Sequence, residues 1–392
     1  MAAAPTAAQK SGPLAGLTVL EMAGLGPAPM AALMLSEMGA DVLRIERQGA
    51  QPLLPLPPAH DLDRHGRTIL KVDLKREAGR DFLLRLVEKA DILIEGFRPG
   101  VMERLGLGPD QALTRNPRLV YGRMTGFGQD GPLSGRAGHD ITYLAFSGAL
   151  HAIGPREKPM PPLNLVADYG GGAMMLLSGI LAALVARGVS GAGQVVDAAM
   201  SEGAAMLTAP IHALMASGLW QDTRGSNLLD GGAPFYDTYE TADGRHVAVG
   251  CLEPQFFAEF AQLLPLEERF VAGQYDRATW PAMRASIAAR IAERSRDEWA
   301  ETFANTDACV APVLSLTEAA NHPHNRARNA FVKVGALTRP APAPRFSQTP
   351  SVAARPPVES AASMTVQLSR WGIMAEEIDA LASSGILGQK VE

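Results

Sequence analysis

The sequence predicts an α/β protein, with an open parallel sheet in its first part and a smaller α+β domain after it. Three observations carry this reading. An apolar strand-like run, an apolar helix-like run and a second strand-like run follow one another in "LTVLEMA" (17–23), "APMAALMLSEMGA" (28–40) and "DVLRIER" (41–47). That alternation favours parallel strands joined by right-handed crossovers. The alternation recurs in "AGRDFLLRLVEKA" (78–90), "DILIEGF" (91–97) and "RLVYGRMTGFG" (118–128). The texture then changes near residue 225, where "FYDTYETADGRHVAVGCLE" reads as two β-rich runs around an Asp243-Gly244 turn, a hairpin signature. A chain of 392 residues exceeds what one core usually holds, which agrees with two domains.

Each element has a local reason. "GLGPAP" (24–29) opens like a dinucleotide-binding fingerprint, with Glu46 where a ribose-binding acid would stand. Pro29 takes the place of the third glycine, so a tight strand-to-helix turn accounts for the glycines better. "PPLNLVAD" (161–168) reads as a short extended run that delivers Asp168 to the mouth of an apolar helix, "YGGGAMMLLSGILAALVA" (169–186). That stretch approaches membrane-spanning length. Asp168 precedes it, Arg187 follows it and it stands alone, so a buried core helix is expected and no membrane partner. "DAAMSEGAAMLTAPIHALMASG" (197–218) reads as a second helix, and "PQFFAEFAQLL" (254–264) and "WPAMRASIAARIAERSRDEWAETFANT" (280–306) as helices of the smaller domain. The expected organisation is a flexible tail over 1–13, a large α/β domain over 14–224, a small α+β domain over 225–330, and a linker with a C-terminal segment over 331–392. In the last, "MAEEIDALASSGIL" (374–387) forms a helix that rejoins the sheet.

Composition narrows the function. Hydrophobic residues make up 47%, charged residues 20%, and the net charge is -5, the balance of a soluble enzyme without the broad basic face that nucleic acid needs. The opening "MAAAPTAAQKSGP" lacks a basic region followed by an apolar one, so no secretory signal is read there. The closing "GQKVE" is not a peroxisomal address of the SKL type. Cys251 and Cys309 form neither a disulfide framework nor a zinc pattern. Both read as small packing residues, no metal site is expected, and the expected location is the cytoplasm. "NHPHN" puts His322 and His324 in a solvated loop. Walker A, GxSxG and HExxH patterns do not occur.

Two groups of residues invite chemistry. Arg44 and Arg47 close one predicted strand, Arg98 follows another, and Lys75 and Arg104 lie nearby. Ligands of open α/β sheets bind beyond the carboxyl ends of the strands, so Arg47 and Arg98 suit a phosphate; ordinary surface charge is the other reading. His139 in "GHD" and Asp168 in "ADYGGG" each precede a predicted helix. A helix N-terminus favours a carboxylate, disfavours an imidazolium and stabilises a developing oxyanion. A satisfied core histidine and a plain N-cap aspartate would look the same.

Beyond composition and spacing, the chain resembles the alpha-methylacyl-CoA racemase branch of the family III CoA-transferase superfamily. The likeness runs from "GPLAGLTVLEMAGLGPAPMAALMLSEMGADVLRIER" to "PAPRFS", through "ADILIEGFRPGVMERLGLGP", "RMTGFGQDGP", "AGHDITY", "PPLNLVADYGGG", "GQVVDAAM", "RGSNLLDGGAPFYDTYETADGRHVAVG" and "EPQFF". It implies a Rossmann-like large domain, a smaller domain, an interlocked homodimer, coenzyme A thioester substrates, and no cofactor besides the coenzyme A that is part of the substrate. Carried over by residue, it implies His139 and Asp168 as the acid/base pair, Glu253 as the group that orients the histidine, and Asp140 as a carboxylate beside the pair. It implies coenzyme A contacts at Arg47, Val72, Asp73, Leu74, Lys75, Ala90, Asp91, Ile92, Arg98, Gly138, Ile141, Thr142 and Tyr143. "LDRHGRT" and its Pro-rich lead-in depart from the arginine-rich loop expected before "VDLK". The implied reaction is cofactor-independent 1,1-proton transfer on a 2-methylacyl-CoA through an enolate. Family III transferases would instead use an aspartate matching Asp168 as a nucleophile; His139 separates the two, since only proton transfer needs an imidazole there.

Overall fold

A computed structural model describes residues 11–49, 55–357 and 361–388. Most of the expected tail, and residues 50–54 of the loop before "VDLK", lie outside the described residues. The chain divides into two compact units, one of 1–147, 163–207 and 324–392, the other of 148–162 and 208–323. The second unit therefore starts at 208, ends at 323 and draws in an earlier segment, where the sequence suggested 225–330.

The first unit is built on six parallel strands: β1 Thr18–Met22, β2 Asp41–Arg47, β3 Arg67–Val72, β4 Ile92–Glu95, β5 Val120–Thr125 and β6 Val195–Ala199. Their spatial order is β3-β2-β1-β4-β5-β6, the order of a doubly wound dinucleotide-binding fold, whose direction of winding reverses between β1 and β4. Val19, Leu20, Leu43, Leu93 and Val120 are wholly buried, as expected of central strands covered on both faces. Helix α1 (Pro27–Glu37) follows β1, and α2 (Glu77–Val87) follows β3. Two of these six strands escaped the sequence reading. In "RTILKV" the run of β3 lies beyond a Pro-rich loop, and β6 takes Asp197–Ala199 from the start of the helix expected over 197–218 because pairing with β5, Tyr121 to Val195 through Thr125 to Ala199, overrides the helical propensity of alanine.

The apolar stretch also differs from expectation. Asp168 does not close an extended run. It lies inside a π-helical turn, Leu165–Ala173, that leads into α4 (Met174–Ser190). Among the described residues, Leu165–Ser190 is a helical stretch long and apolar enough to cross a membrane by length and composition. One stripe of it, Leu176, Ile180, Ala183 and Arg187, is buried, and Arg187 pairs with Asp91 at 3.0 Å. Val185 and Val189 on the other side are exposed. The stretch is thus covered on one face, not buried all round.

Helix α5 (Met200–Leu207) follows β6. The segment after 323 returns to this unit. It carries a hairpin, Phe331–Val334 with Leu337–Pro340, and a helix, Ala375–Ser383. Trp371, Ile378, Ile386 and Leu387 join Phe82 and Leu86 in one apolar core. Leu387 forms an antiparallel bridge to Val72 on the edge strand β3, and Gly388 N–H donates to Lys71 O at 2.8 Å.

The second unit contains the predicted hairpin, β7 Tyr236–Glu240 and β8 His246–Gly250, extended by β9 Val310–Pro312. Phe235, Phe257, Phe260, Trp280 and Trp299 form its core. The long helix expected over 280–306 is two, Trp280–Ile291 and Arg296–Thr302, because Ser295 and Glu298 make a reciprocal capping box that restarts the chain. Cys251 is buried as expected; Cys309 is exposed with φ 52°, so it is not a packing residue.

Candidate active site

The carboxyl ends of the central strands surround a cleft of about 380 Å³, within the range of small-ligand sites. Leu25, Gly26 and Pro27 after β1 and Gly96, Phe97, Arg98 and Pro99 after β4 form one side, at the point where the winding reverses. Met124, Thr125 and Gly126 at the end of β5, and Met200 after β6, form the floor and far wall. Gly138, His139, Tyr143 and Asp168 complete it.

The turn from β1 to α1 requires its glycine. Gly26 has φ 78° at the N-cap, with Pro27 beginning the helix. A Cβ on Gly26 would stand 3.7 Å from Asp168 Oδ2, so this turn borders the carboxylate. No ribose-type acid waits beside it: Glu46 pairs with Arg44 and Arg64 at 3.4 Å each.

His139 is the residue before α3 (Asp140–Ser147). Its N–H donates to Thr142 Oγ1 at 2.9 Å, and that hydroxyl donates to His139 O at 2.7 Å. This is the N3-to-N-cap half of a capping arrangement, and it leaves the imidazole exposed at the cleft. The Tyr143 ring sits behind it, edge-on to Phe127 with centroids 5.1 Å apart. Gly138 leaves that space open, since a Cβ there would fall 2.5 Å from Tyr143 Cε1.

Asp168 is held differently. Leu163, with φ 58°, turns the chain into the left-handed region just before the π-turn, at a cost of about 1–2 kcal/mol for an L-residue. Asp140 Oδ2 accepts both the Ala167 and the Asp168 N–H at 2.8 Å. Charge-assisted bonds of this kind contribute about 1.5–3 kcal/mol each. The π-turn lies against α5 through glycines: a Cβ on Gly203 would stand 1.8 Å from Gly171 O. Burial first, and the Asp140 carboxylate second, push the Asp168 carboxyl above its ordinary range; a hydrogen bond from Asn164 and the nearby His139 oppose this. Burial and Asp168 likewise raise the Tyr143 phenol, against Arg98.

The other expected residues divide. Asp140 is 5% exposed and absent from the cleft lining, so it stands behind the pair. Ile141 and Thr142 are exposed on the first turn of α3. Arg47 and Val72 are register partners at the carboxyl ends of β2 and β3, with Asp73, Leu74 and Lys75 just beyond. Arg47 and Lys75 are exposed, while the Val72 side chain is buried in the core. Arg44 is not free for a phosphate; it pairs with the wholly buried Glu21, which also takes Arg67 at 2.9 Å. Ala90, Asp91 and Ile92 are not brought to this edge. They lie at the amino end of β4, where Asp91 Oδ2 accepts the Thr18 N–H at 2.9 Å, the opposite edge of a parallel sheet. Glu253 belongs to the second unit, exposed at the N-cap of Pro254–Leu263 without capping it. Ser134, Arg136, Met124 and Met200 line the cleft and were not singled out from sequence. The signal that finds them is positional, since each follows or ends a strand or the loop after it. Among the described residues, no group of three or more His, Cys, Asp or Glu side chains is placed to hold a metal.

Three comparisons bear on this site. The family described as CoA-transferase family III matches residues 14–360. An alpha-methylacyl-CoA racemase of Mus musculus is 45% identical over 377 residues, 95% of this chain and 97% of its own. One of Homo sapiens is 42% identical over 380 residues, 95% and 97% of the two chains. In architecture, a CAIB/BAIF family protein from Brucella suis superposes with a TM-score of 0.76 at 24% identity, covering 92% of this chain and all of that one.

Proposed function

Because this chain belongs to CoA-transferase family III, we propose that it interconverts the (R) and (S) forms of 2-methylacyl-CoA thioesters, as the names of its mouse and human relatives state for those proteins. One observation carries the reading: an imidazole, His139, and a carboxyl raised toward protonation, Asp168, open on the same cleft from two separate turns. Removing a proton alpha to a thioester needs a base and a stabilised enolate oxygen. Inverting the centre needs a second group to return a proton on the opposite face. One side chain takes the α-proton, the electron pair moves onto the thioester oxygen, and the other side chain gives its proton to the α-carbon. The pair ends with its single proton transferred, poised for the reverse reaction, and its titration belongs to the pair. N–H groups at the start of α3 suit the enolate oxygen. Met124 and Met200 suit an acyl chain of varied shape.

The reading extends to the rest of the coenzyme and to assembly. Arg47, Lys75 and Arg98 take its phosphates, with Asp73, Leu74, Gly138, Ile141, Thr142 and Tyr143 beside them. Glu253 orients His139. No separate cofactor enters, since two side chains carry the proton, and the free cysteines suit a reducing cytoplasm. The working form is an interlocked homodimer. In a single chain the apolar helix Ala209–Ala216 has no buried residue, and Val185, Val189, Met206 and Leu207 are exposed, more apolar surface than an isolated chain keeps.

The test is deuterium exchange. One epimer of a 2-methylacyl-CoA is incubated with the enzyme in D₂O without a second acid. Deuterium enters the α-carbon and the epimers approach equal amounts; His139→Ala abolishes both while coenzyme A still binds. No exchange, but CoA transfer once a free carboxylate is added, makes Asp168 a nucleophile and refutes the racemase.

A further inference from the structure

We infer that Asp140 is a positioning residue whose carboxylate clamps the main chain of the π-turn, so that the Asp168 carboxyl stands at a fixed place on the cleft. The inference rests on the racemase reading for its catalytic consequence, but the clamp itself is a matter of geometry. Asp140 begins α3, directly after His139, yet its side chain turns away from the cleft into the protein and is 5% exposed. One oxygen, Oδ2, accepts the N–H groups of Ala167 and Asp168, both at 2.8 Å. In a π-helix the first N–H groups lack partners within the helix, just as they do in an α-helix, and these two are supplied from another element. The same carboxylate therefore joins the turn that carries His139 to the turn that carries Asp168. A change in the distance between the two turns must break these bonds.

Asp140 Oδ1 is buried with no protein partner. A carboxylate that only capped backbone would leave that oxygen in water. Asp140 Oδ1 is thus buried behind Asp168. Asp140 and His139 at α3 and Asn164 ahead of its own turn act on Asp168, while Tyr143 on the same helix, Arg98 beyond β4 and Arg136 before α3 line the same cleft. Asp140 is the charged group among these that favours the protonated carboxyl. Clamp and charge are separable. In Asp140→Asn the amide oxygen can still accept both N–H groups, with the amide nitrogen in place of Oδ1, but the charge is gone. In Asp140→Ala both are lost.

Two measurements test this. Amide hydrogen exchange over residues 165–173 reads the clamp without reference to activity. Wild type and Asp140→Asn protect Ala167 and Asp168; Asp140→Ala does not. Equal protection in all three overturns the clamp, whatever the reaction proves to be. Alpha-proton exchange reads the consequence. Asp140→Ala loses about 100-fold in kcat, the scale of a misplacement of about 1 Å, with KM changed less than about threefold. Asp140→Asn keeps most of kcat, but the acid limb of its pH profile moves lower as the like charge is removed. An Asp140→Asn enzyme as slow as Asp140→Ala, with the limb unmoved, overturns the positioning role. A wild type that exchanges no α-proton overturns the racemase reading instead, and leaves the hydrogen-exchange result to decide the clamp.

Discussion

The turn at His139 and the turn at Asp168 open on one cleft, but they are built in opposite ways. His139 sits at the start of an ordinary α-helix, capped by a hydroxyl three residues on, with its side chain exposed. Asp168 sits inside a π-turn, preceded by a residue with positive φ, packed glycine to glycine on α5 and tied to Asp140. The first turn is local and inexpensive. The second depends on residues from several elements and keeps its carboxyl half-buried. The difference follows from the chemistry proposed for each. The imidazole stands in the open cleft and needs only placement. A carboxyl that must hold a proton needs burial and a like charge.

This contrast can be broken most severely at Gly203. In Gly203→Ala the new Cβ meets Gly171 O at 1.8 Å, so the π-turn or α5 must move. A loss of about 3 kcal/mol or more in urea unfolding is expected, along with α-proton exchange, while the His139 turn keeps its hydrogen bonds. Wild-type stability would mean that the turn is soft. A milder cut falls on the other side. Thr142→Val removes the hydroxyl that holds His139 N–H and is expected to cost about 1 kcal/mol, with a several-fold drop in kcat and the Asp168 turn intact by hydrogen exchange. Glu253→Gln is expected to lower kcat more than it raises KM; an unchanged kcat removes it from the reaction. The smallest effect concerns stability. A carboxyl raised in the folded state binds protons more tightly there than in the unfolded chain. Its cost is absent below the unfolded pKa of about 3.9, grows as pH rises through the folded value, and is complete above it. Asp168→Asn should therefore be slightly more stable than wild type at pH 7, by under about 1 kcal/mol with solvent screening, and no different at pH 3. Equal stability at both pH values would mean that Asp168 is not held under tension.

Much of this was legible in residues. The "GHD" and "ADYGGG" turns stand out because ionisable groups adjoin apolar runs, and the βαβ alternation predicts β1, α1 and β2 almost to the residue. The π-turn was not legible. Its signal lies in a contact 28 positions away, Asp140 to Asp168, and in the fit of Gly203 against Gly171, neither of which leaves a periodicity. β6 was hidden because "VVDAA" carries helix-forming alanines and becomes a strand only through its partner. That Ala90, Asp91 and Ile92 stand at the amino end of β4 was not legible for a related reason: resemblance along the chain does not say which end of a parallel strand a residue occupies.

The bridge between Val72 and Leu387 sets an order of assembly. During synthesis at about 5–20 residues per second, the far partner of that bridge follows the near one by roughly 15 to 60 seconds. Asp73 N–H waits that long for Ile386 O, and Gln48 Nε2 for the carbonyls of Gly385 and Ile386. The central strands can pair on the ribosome well before this. The carboxyl end of the edge strand β3, beside Arg47 and Lys75, gains its cover last, so a nascent chain stalled short of Ile386 leaves that end bare to whatever chaperone or neighbouring chain it meets.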